Sequence, residues 1–356
     1  MKKILISTGG SGGHVIPSLT IYDVLKENFQ VHIVTDLRGS RYIKNHDYSL
    51  IDVPNIFTNL FFLPYNFIKF CISIFKSYKY LKSNNFDILI STGGYMSLPL
   101  CIASNLLRLE IFVFEPNSVI GQANKLTLVF AKKIICYHKN IRKVSDKFSK
   151  KIYLIDPLLR KEIYNYKKNE KKMLKEQKKI LIIGGSQGAK FFDNFISKTI
   201  VELSKTQKIK VLQQVVDQKS RENLRLMYEK NHIEHELFDF DDKLLSKANN
   251  CDLAITRGGA SAMSELSYLN IPFVAIPFPY AKDNHQYYNA DFYKKNECCW
   301  LIMQKDINEN NFKALLENIF NDSNEYFSKK KNLSQLYKNN TWEKNKARIT
   351  EIINEN

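Results

Sequence analysis

The amino-acid sequence predicts an α/β protein with two parallel-sheet domains that face one another across a cleft. The main observation is that an apolar run, a cluster of glycines and a helical segment follow one another at two distant places. The first place is Lys2–Thr8 followed by Gly9–His14, and the second is Lys179–Ile183 followed by Gly184–Gly188. A glycine-rich turn after a parallel strand presents backbone N–H groups to a phosphate. Two such turns favour a nucleotide-diphosphate substrate that is held between the domains.

Strands and helices alternate in the same way through the rest of each half. In the first half, the successive segments are a strand at Phe86–Ile90, Gly93-Gly94, a helix near Leu98–Leu107 and a strand at Glu110–Phe114. In the second half, they are a strand at Asp252–Ile255, Gly258-Gly259, a helix near Ser261–Tyr268 and a strand at Pro272–Ile276. This alternation predicts right-handed βαβ units and a parallel sheet in each half.

The chain of 356 residues is long enough for two domains. The stretch Leu158–Lys179 is dominated by Lys, Glu and Asn, as is typical of a linker or an exposed helix. We therefore place the boundary near Arg160. The predicted domains are 1–160 and 161–335, and a C-terminal helix over 336–356 is expected to pack back across them.

The charge balance predicts an anionic partner. Lys and Arg number 53 against 36 Asp and Glu, which gives a formal net charge of +17. Nucleic acid, anionic lipid and a phosphorylated substrate all fit this charge, and so does the use of lysine for solubility. The chain enters a strand directly at its N-terminus, so no signal peptide is expected.

The six cysteines show no zinc-finger spacing, so no metal site is predicted. Four of them lie in apolar stretches and are predicted to be small core residues in a reducing cytoplasm, namely Cys71, Cys101, Cys136 and Cys251.

The first glycine turn has neither the G-x-G-x-x-G spacing of a dinucleotide fold nor the Gly-Lys-Ser/Thr of a Walker loop. This disfavours NAD and ATP chemistry, and no cofactor is expected. His14 ends the turn, where a neutral imidazole could take a proton from an acceptor hydroxyl. The alternative is a polar surface residue, but its place after the carboxyl end of a strand favours the catalytic role. Glu265 follows the turn at Gly258 in what we expect to be the first turn of a helix. It could accept from two ribose hydroxyls or simply favour the start of that helix.

Several motifs in a fixed order complete this pattern. They are Gly9–Pro17, Gly93-Gly94-Tyr95, Glu115-Pro116-Asn117, Gly184–Ala189, Gly258-Gly259-Ala260 with Ser264-Glu265, and Gln286–Ala290. With these motifs the chain resembles, over nearly its whole length, the peptidoglycan N-acetylglucosaminyltransferases that convert lipid I into lipid II. The resemblance implies two Rossmann-like domains of the GT-B type. It also implies inverting transfer of GlcNAc from UDP-GlcNAc to the C4 hydroxyl of MurNAc-pentapeptide on undecaprenyl diphosphate.

The resemblance also implies roles for individual residues. His14 matches the proposed base. The expected substrate-binding residues are Ser11, Gly12 and Gly13 beside the diphosphates, Asn117 at a sugar, Arg160 and Ser186 near the donor diphosphate, Phe240 at uracil, Ala260, Ser261 and Ala262 at the phosphates, Glu265 at the ribose, and Gln286 at the GlcNAc hydroxyls. The chain also departs from the family pattern. Ser11 replaces Thr and keeps the hydroxyl, and Phe114-Glu115-Pro116-Asn117 stands where the family has His-Glu-Gln-Asn. Ile155–Arg160 stands where the family has Gly-Asn-Pro-Val-Arg, with Asp156 in place of Asn, and His285 replaces Gln. An Asp in place of Asn near a diphosphate would repel it.

An aromatic and lysine-rich segment in the first half predicts contact with a membrane. Its apolar members are Phe57, Leu60, Phe61, Phe62, Leu63, Tyr65, Phe67, Phe70, Ile74 and Phe75, and its lysines are Lys69, Lys76, Lys79 and Lys82. Apolar side chains beside lysines suit an interfacial helix on an anionic leaflet. The apolar segment Asn66–Tyr80 is too short and, with three lysines, too charged to span a bilayer. We expect peripheral attachment at the cytoplasmic face of the cell (inner) membrane; the alternative is an ordinary core helix with a solvated lysine face.

Other functions fit less of the sequence. A related transferase that acts on another lipid would share the fold, and a non-enzymatic nucleotide-sugar-binding subunit would not need both His14 and Glu265. Nucleic acid could account for the charge, but no nucleic-acid-binding motif is present and we expect no such partner.

Overall fold

The structure is a computed structural model. It describes residues 1–51, 53, 63–166, 168, 174, 176–185, 190–239 and 247–355. The chain divides into two compact units. Unit 1 comprises Met1–Lys161 and Thr341–Asn356, and unit 2 comprises Glu162–Asn340.

Unit 1 is built on a parallel sheet of seven described strands in the order β3-β2-β1-β4-β5-β6-β7. The strands are β1 Lys3–Ser7, β2 Gln30–Thr35, β3 Tyr48–Leu50, β4 Ile88–Ser91, β5 Glu110–Glu115, β6 Lys133–Cys136 and β7 Ile152–Leu154. The central strands are continuous apolar runs because helices cover both faces of a parallel sheet. Ile4, Leu5 and Ile6 of β1 are fully buried.

The helices of unit 1 follow the strand ends. They are α1 Gly12–Leu25, α2 Leu63–Asn84, α3 Ser97–Leu106, α4 Gln122–Thr127 and, from the C-terminal segment, α11 Trp342–Asn354. Helix α11 is fixed to the sheet by Lys133, a buried residue of β6 whose Nζ donates to the carbonyl oxygens of Ile352 (2.6 Å) and Glu355 (2.7 Å). A lysine near a helix C-terminus donates to carbonyl oxygens that have no N–H donor within the helix.

Unit 2 repeats the design with six described parallel strands in the order β10-β9-β8-β11-β12-β13. They are β8 Lys178–Ile183, β9 Ile209–Gln214, β10 Glu234–Phe238, β11 Leu253–Thr256, β12 Phe273–Ala275 and β13 Cys299–Leu301. Its described α-helices are α5 Ser197–Ser204, α6 Gln218–Lys230, α7 Ala260–Tyr268, α8 His285–Lys295, α9 Glu309–Asn321 and α10 Ser323–Leu336. A π-helical turn at Phe192–Ile196 leads into α5.

The predicted fold class, two Rossmann-like parallel-sheet domains, is confirmed. Two expectations need correction. The C-terminal helix begins at Trp342 and not at 336, because α10 ends at Leu336 and belongs to unit 2. Cys71 is exposed on α2, whereas Cys101, Cys136 and Cys251 are buried as predicted.

Helix α2 has an unusual distribution of side chains. The stripe that faces the core contains Phe70, Ser73, Ser77 and Leu81. The opposite face exposes large apolar side chains, namely Tyr65, Phe67, Ile68, Ile72 and Phe75. Two serines are therefore buried while five larger apolar side chains are in solvent. No helix in the described part of the chain is long and apolar enough to cross a bilayer.

Candidate active site

The first glycine turn leaves β1 and starts α1, as the sequence predicts. Gly10 has a φ of 81°, which favours glycine, and Ser11 is extended at the N-cap of α1. His14 N and Val15 N both donate to the Ser11 carbonyl oxygen, at 3.0 and 3.2 Å. The N–H groups of Gly12 and Gly13 precede them at the first two helical positions, where a helix offers no internal acceptor. This end of α1 therefore presents backbone donors in the way that suits an anion.

Asp36, a buried residue directly after β2, fixes the turn through hydrogen bonds to backbone N–H groups. Its Oδ1 accepts from Gly10 N at 2.9 Å and from Gly39 N at 2.8 Å. A Cβ added to Gly9 would lie 2.8 Å from the same oxygen and 2.6 Å from Met96 Cγ. Only glycine fits this approach, so the loops after β1, β2 and β4 pack together at the carboxyl edge of the sheet.

His14 is oriented by a backbone carbonyl of the loop after β4. Its Nδ1 lies 2.9 Å from the Thr92 oxygen. Because a carbonyl oxygen only accepts, Nδ1 carries the hydrogen, and Nε2 of the neutral ring has the lone pair that can take a proton. A Cβ on Gly93 would lie 3.0 Å from both Nδ1 and Cε1 of His14, and Gly93 has a φ of 97°. The glycine therefore leaves room for the ring.

The loop after β5 is organised by the buried carboxylate of Glu115. Oε1 accepts from the Asn117 side-chain Nδ2 at 2.8 Å, and Oε2 accepts from Gly121 N at 2.8 Å and Asn124 Nδ2 at 3.0 Å. Ser91 Oγ donates to Asn124 Oδ1 at 3.3 Å. These bonds link Asn117 to Ser91 at the end of β4, and the next residue, Thr92, supplies the carbonyl oxygen that accepts from His14.

The corresponding edge of unit 2 is formed by the turn after β11. Gly258 has a φ of 86°, and a Cβ there would lie 2.8 Å from the Gln286 carbonyl oxygen. Gly259 caps α7, so the N–H groups of Ala260, Ser261 and Ala262 occupy its first turn. These three residues are half-buried. They form a second helix start with backbone donors suited to a phosphate.

Two predicted donor-binding side chains lie around this turn. Glu265 is the sixth residue of α7, so its expected place in the first turn is wrong, and it is half-buried. Gln286 lies at the start of α8, and its Oε1 accepts from Phe278 N at 2.8 Å. That bond leaves the Nε2 hydrogens of Gln286 as the donors for a ligand.

Arg257 stands directly before the turn as a buried cation. Its Nη1 donates to Gln304 Oε1 at 2.7 Å, and its guanidinium lies 4.5 Å from the centroid of Phe192 and 5.5 Å from that of Phe278. Burial lowers the pKa of Arg257 to about 10, so it stays charged at neutral pH. A cation directly before a glycine turn that could bind a phosphate makes the local electrostatic potential positive.

Three other predicted positions complete the account. Arg160 is half-buried and follows β7 at the end of unit 1. Ser186 and Phe240 lie outside the described residues. Asp156, a departure from the family pattern, lies 2.7 Å from Lys344 Nζ of α11. Within the described ranges no cluster of three or more His, Cys, Asp or Glu side chains is arranged to hold a metal ion.

Sequence reasoning missed Asp36 and Asn124, which hold the loops in place, and Arg257, the buried cation before the second turn. It also indicated no role for Glu115 within the motif Glu115-Pro116-Asn117. One signal was available, since Asp36-Leu37-Arg38-Gly39 follows β2 as the glycine turns follow their strands. The contacts of Asn124 join distant loops, and nothing local in the sequence marks them.

The fold and the two turns define a glycosyltransferase of two parallel-sheet domains, and the comparisons agree. Residues 4–136 match the model of the glycosyltransferase family 28 N-terminal domain, and residues 179–346 match that of the family 28 C-terminal domain. The chain therefore belongs to glycosyltransferase family 28.

Within that family, the chain belongs with the UDP-N-acetylglucosamine–N-acetylmuramyl-(pentapeptide) pyrophosphoryl-undecaprenol N-acetylglucosamine transferases. It is 45% identical to one from Pelagibacter ubique over 357 residues, covering 100% of this chain and 99% of the relative. It is 35% identical to one from Rickettsia bellii, covering 90% of each chain. The sequence-based assignments of family and enzyme class are thus confirmed.

Solved structures agree on the fold. The crystal structure of Acinetobacter baumannii MurG superposes with a TM-score of 0.75 at 21% identity and covers 94% of this chain and 95% of its own. A Polygonum tinctorium UDP-glucosyltransferase superposes with a TM-score of 0.73 at 9% identity, covering 100% of this chain and 99% of its own.

Proposed function

We propose that the chain moves GlcNAc from UDP-GlcNAc to the C4 hydroxyl of MurNAc-pentapeptide on undecaprenyl diphosphate, with inversion, in peptidoglycan synthesis. The names of relatives that match 100% and 90% of the chain contain this donor sugar and this acceptor. In the reaction the acceptor hydroxyl loses its proton and its oxygen attacks the anomeric carbon of GlcNAc. The bond from that carbon to the diphosphate breaks on the opposite face, and UDP leaves.

The observation that carries the proposal is the orientation of His14. The Thr92 carbonyl fixes the hydrogen on Nδ1, so Nε2 is available as the general base for the acceptor hydroxyl. The backbone donors of Gly12 and Gly13 directly precede His14 in the first turn of α1 and would hold an acceptor phosphate. Asn117, oriented by Glu115, would contact the sugar from the loop after β5.

Donor binding is assigned mainly to unit 2, with Arg160 of unit 1 also near the donor diphosphate. The first turn of α7 would hold the UDP diphosphate, assisted by the charge of Arg257. Glu265 would accept from the ribose hydroxyls, and the Nε2 group of Gln286 would donate to the GlcNAc hydroxyls. Arg160, Ser186 and Phe240 retain the donor-site roles that the resemblance implies.

We further propose that the exposed face of α2 attaches the enzyme to the cytoplasmic face of the cell membrane. Tyr65 and Phe75 each hold a lysine against the ring, with Lys69 Nζ 4.4 Å and Lys79 Nζ 4.6 Å from the respective centroids. Aromatic and basic side chains that share one helix face suit an anionic interface. Phe70 and Ile74 were expected on this surface, but they pack into the core and are excluded from it. Phe57, Leu60, Phe61 and Phe62 lie outside the described residues.

The transfer assay that tests the reaction uses labelled UDP-GlcNAc and a water-soluble lipid I analogue. The expected product is the disaccharide-pentapeptide diphosphate, with a β-glycosidic bond. Two comparison substrates are tested in the same assay. UDP-GalNAc replaces the donor, and a polyprenyl-diphosphate sugar without the peptide replaces the acceptor. Transfer to the second acceptor but not to the lipid I analogue would replace the proposed acceptor with another lipid. No transfer to either would leave the nucleotide-sugar-binding alternative.

A further inference from the structure

Arg38 lies beside the first glycine turn. It follows β2, the strand paired with β1, so its loop and the glycine turn emerge at the same sheet edge. Its side chain is 56% exposed, and its Nε lies 3.5 Å from Asp36 Oδ2. The guanidinium carbon lies 4.9 Å from the centroid of the Tyr95 ring.

These contacts fix the guanidinium from two sides. Asp36 is anchored by the N–H groups of Gly10 and Gly39, and the Tyr95 hydroxyl donates to Asp36 Oδ2 at 3.3 Å. The Asp36 carboxylate lies next to Nε, and the Tyr95 ring lies against the guanidinium. A Cβ placed on Gly10 would lie 3.7 Å from Arg38 Nη2. Arg38 therefore places Nη2, a terminal nitrogen of its guanidinium, beside the glycine turn.

The chemistry of this arrangement suits a phosphate. A guanidinium offers paired N–H donors that match two phosphate oxygens, and one that is already oriented loses little entropy when it binds. The N–H groups of Gly12 and Gly13 add backbone donors at the start of α1. The first turn of α1 carries no acidic residue. The Asp36 carboxylate is buried and accepts from three donors, whereas the Arg38 side chain is 56% exposed, so the cation is the charge that solvent meets.

We propose that Arg38 is a further substrate-binding residue, one that holds the diphosphate of the polyprenyl acceptor together with the backbone of Gly12 and Gly13. This inference rests on the proposed function, which puts the acceptor on unit 1 and the UDP diphosphate at α7 of unit 2. Because Arg38 lies beside the first glycine turn, where the proposed function puts the acceptor phosphate, the acceptor diphosphate is the one assigned to it.

The test compares three variants of the full chain. Arg38→Gln removes the charge but can still donate to Asp36. Arg38→Lys keeps the charge but lacks the paired N–H donors of the planar guanidinium. Arg41→Gln is the matched control, because Arg41 is exposed in the turn Gly39–Tyr42, three residues further on. Calorimetry in detergent measures binding of a short-chain polyprenyl diphosphate, of the corresponding monophosphate and of UDP. Thermal unfolding of each variant is recorded alongside.

For Arg38→Gln we expect an acceptor-diphosphate Kd raised about tenfold, the scale of one charge-assisted hydrogen-bond pair to a partly exposed group. The UDP Kd should change by less than about twofold. The Lys variant should lie between wild type and Gln, and Arg41→Gln should match wild type. The monophosphate should bind more weakly to wild type and lose less affinity on the substitution. In the transfer assay the acceptor KM should rise while the donor KM stays unchanged.

Other outcomes separate the possibilities. Unchanged diphosphate affinity in a folded Arg38→Gln protein overturns the proposal and leaves the proposed function standing. A rise in the UDP Kd instead assigns Arg38 to the donor diphosphate and also overturns it. If the Arg38→Gln protein fails to fold, the Arg38→Lys protein provides the test. Wild-type affinity of the Lys variant for the diphosphate would show that the paired guanidinium donors do not bind it, which overturns the proposal. Diphosphate binding that depends on Arg38, in a protein that does not glycosylate the lipid I analogue, retains this inference and rejects the proposed function.

Discussion

Replacing His14 by asparagine separates its chemical role from its structural one. The amide nitrogen of Asn stands near the position of Nδ1 and can still donate to the Thr92 carbonyl, whereas nothing replaces Nε2. If Nε2 is the general base, kcat should fall by about 10²–10⁴, which is a barrier increase of roughly 2.7–5.5 kcal/mol. The retained hydrogen bond should keep the free energy of unfolding within about 1 kcal/mol of wild type.

Alanine at His14 gives the second half of the comparison. It removes the hydrogen bond as well, which adds a stability loss of about 0.5–1.5 kcal/mol. That loss is too small to account for a hundredfold decrease in kcat through unfolding of the protein. Initial rates at saturating donor and varied acceptor, with urea unfolding of the same preparations, provide both quantities. An Asn variant within about tenfold of wild-type kcat would show that Nε2 does not act as the base.

Three further predictions concern the donor, the membrane and the C-terminal helix. Glu265→Gln should weaken UDP binding by about 1–3 kcal/mol, since one acceptor oxygen is lost; unchanged affinity in calorimetry would contradict the ribose assignment. The double change Lys69→Glu/Lys76→Glu should abolish flotation with anionic vesicles, and added salt should weaken that of wild type; equal recovery with neutral vesicles would reject the surface. Lys133→Met should cost about 2–4 kcal/mol in urea unfolding because two α11 carbonyls lose a charged donor, whereas Lys132→Met should cost less than about 1 kcal/mol; equal losses would refute this.

The fold followed from the sequence because its signals are local. A strand such as Ile180–Ile183 is a continuous apolar run, and the glycines after it stand where the backbone must turn sharply. Each βαβ unit could therefore be recognised by itself. The repetition of the pattern then fixed the number of sheets, and the structure confirms both.

The supporting residues of the site could not be found in the same way. Glu115 and Asn124 are nine positions apart, and Asn124 also bonds to Ser91, 33 positions away. From the sequence alone, an acidic residue after a strand is interpreted as an exposed side chain. Its buried hydrogen bonds become visible only when the positions of the surrounding loops are known.

Helix α2 shows where hydrophobicity alone misleads. The sequence predicted that Phe70 would insert into a membrane, but this residue packs in the core beside Ser73 and Ser77. Counting apolar residues could not decide which face meets the sheet, since both faces carry them. The structure decides it, and leaves Phe67 and Phe75 on the solvent side at about three-fifths exposure each, 60% and 58%. A helix that buries serine and exposes phenylalanine is suited to a second apolar environment.

The departure at Asp156 illustrates how a distant partner changes the meaning of a substitution. An unpaired carboxylate four residues before Arg160 would oppose a nearby diphosphate. Lys344 Nζ lies 2.7 Å from Asp156 Oδ2, and the two residues are 188 positions apart. The pair is close to neutral, as the family's asparagine is, although its exposure limits its contribution to stability. Because α11 belongs to unit 1, the C-terminal segment supplies the cation that makes an aspartate acceptable beside the proposed donor-binding arginine.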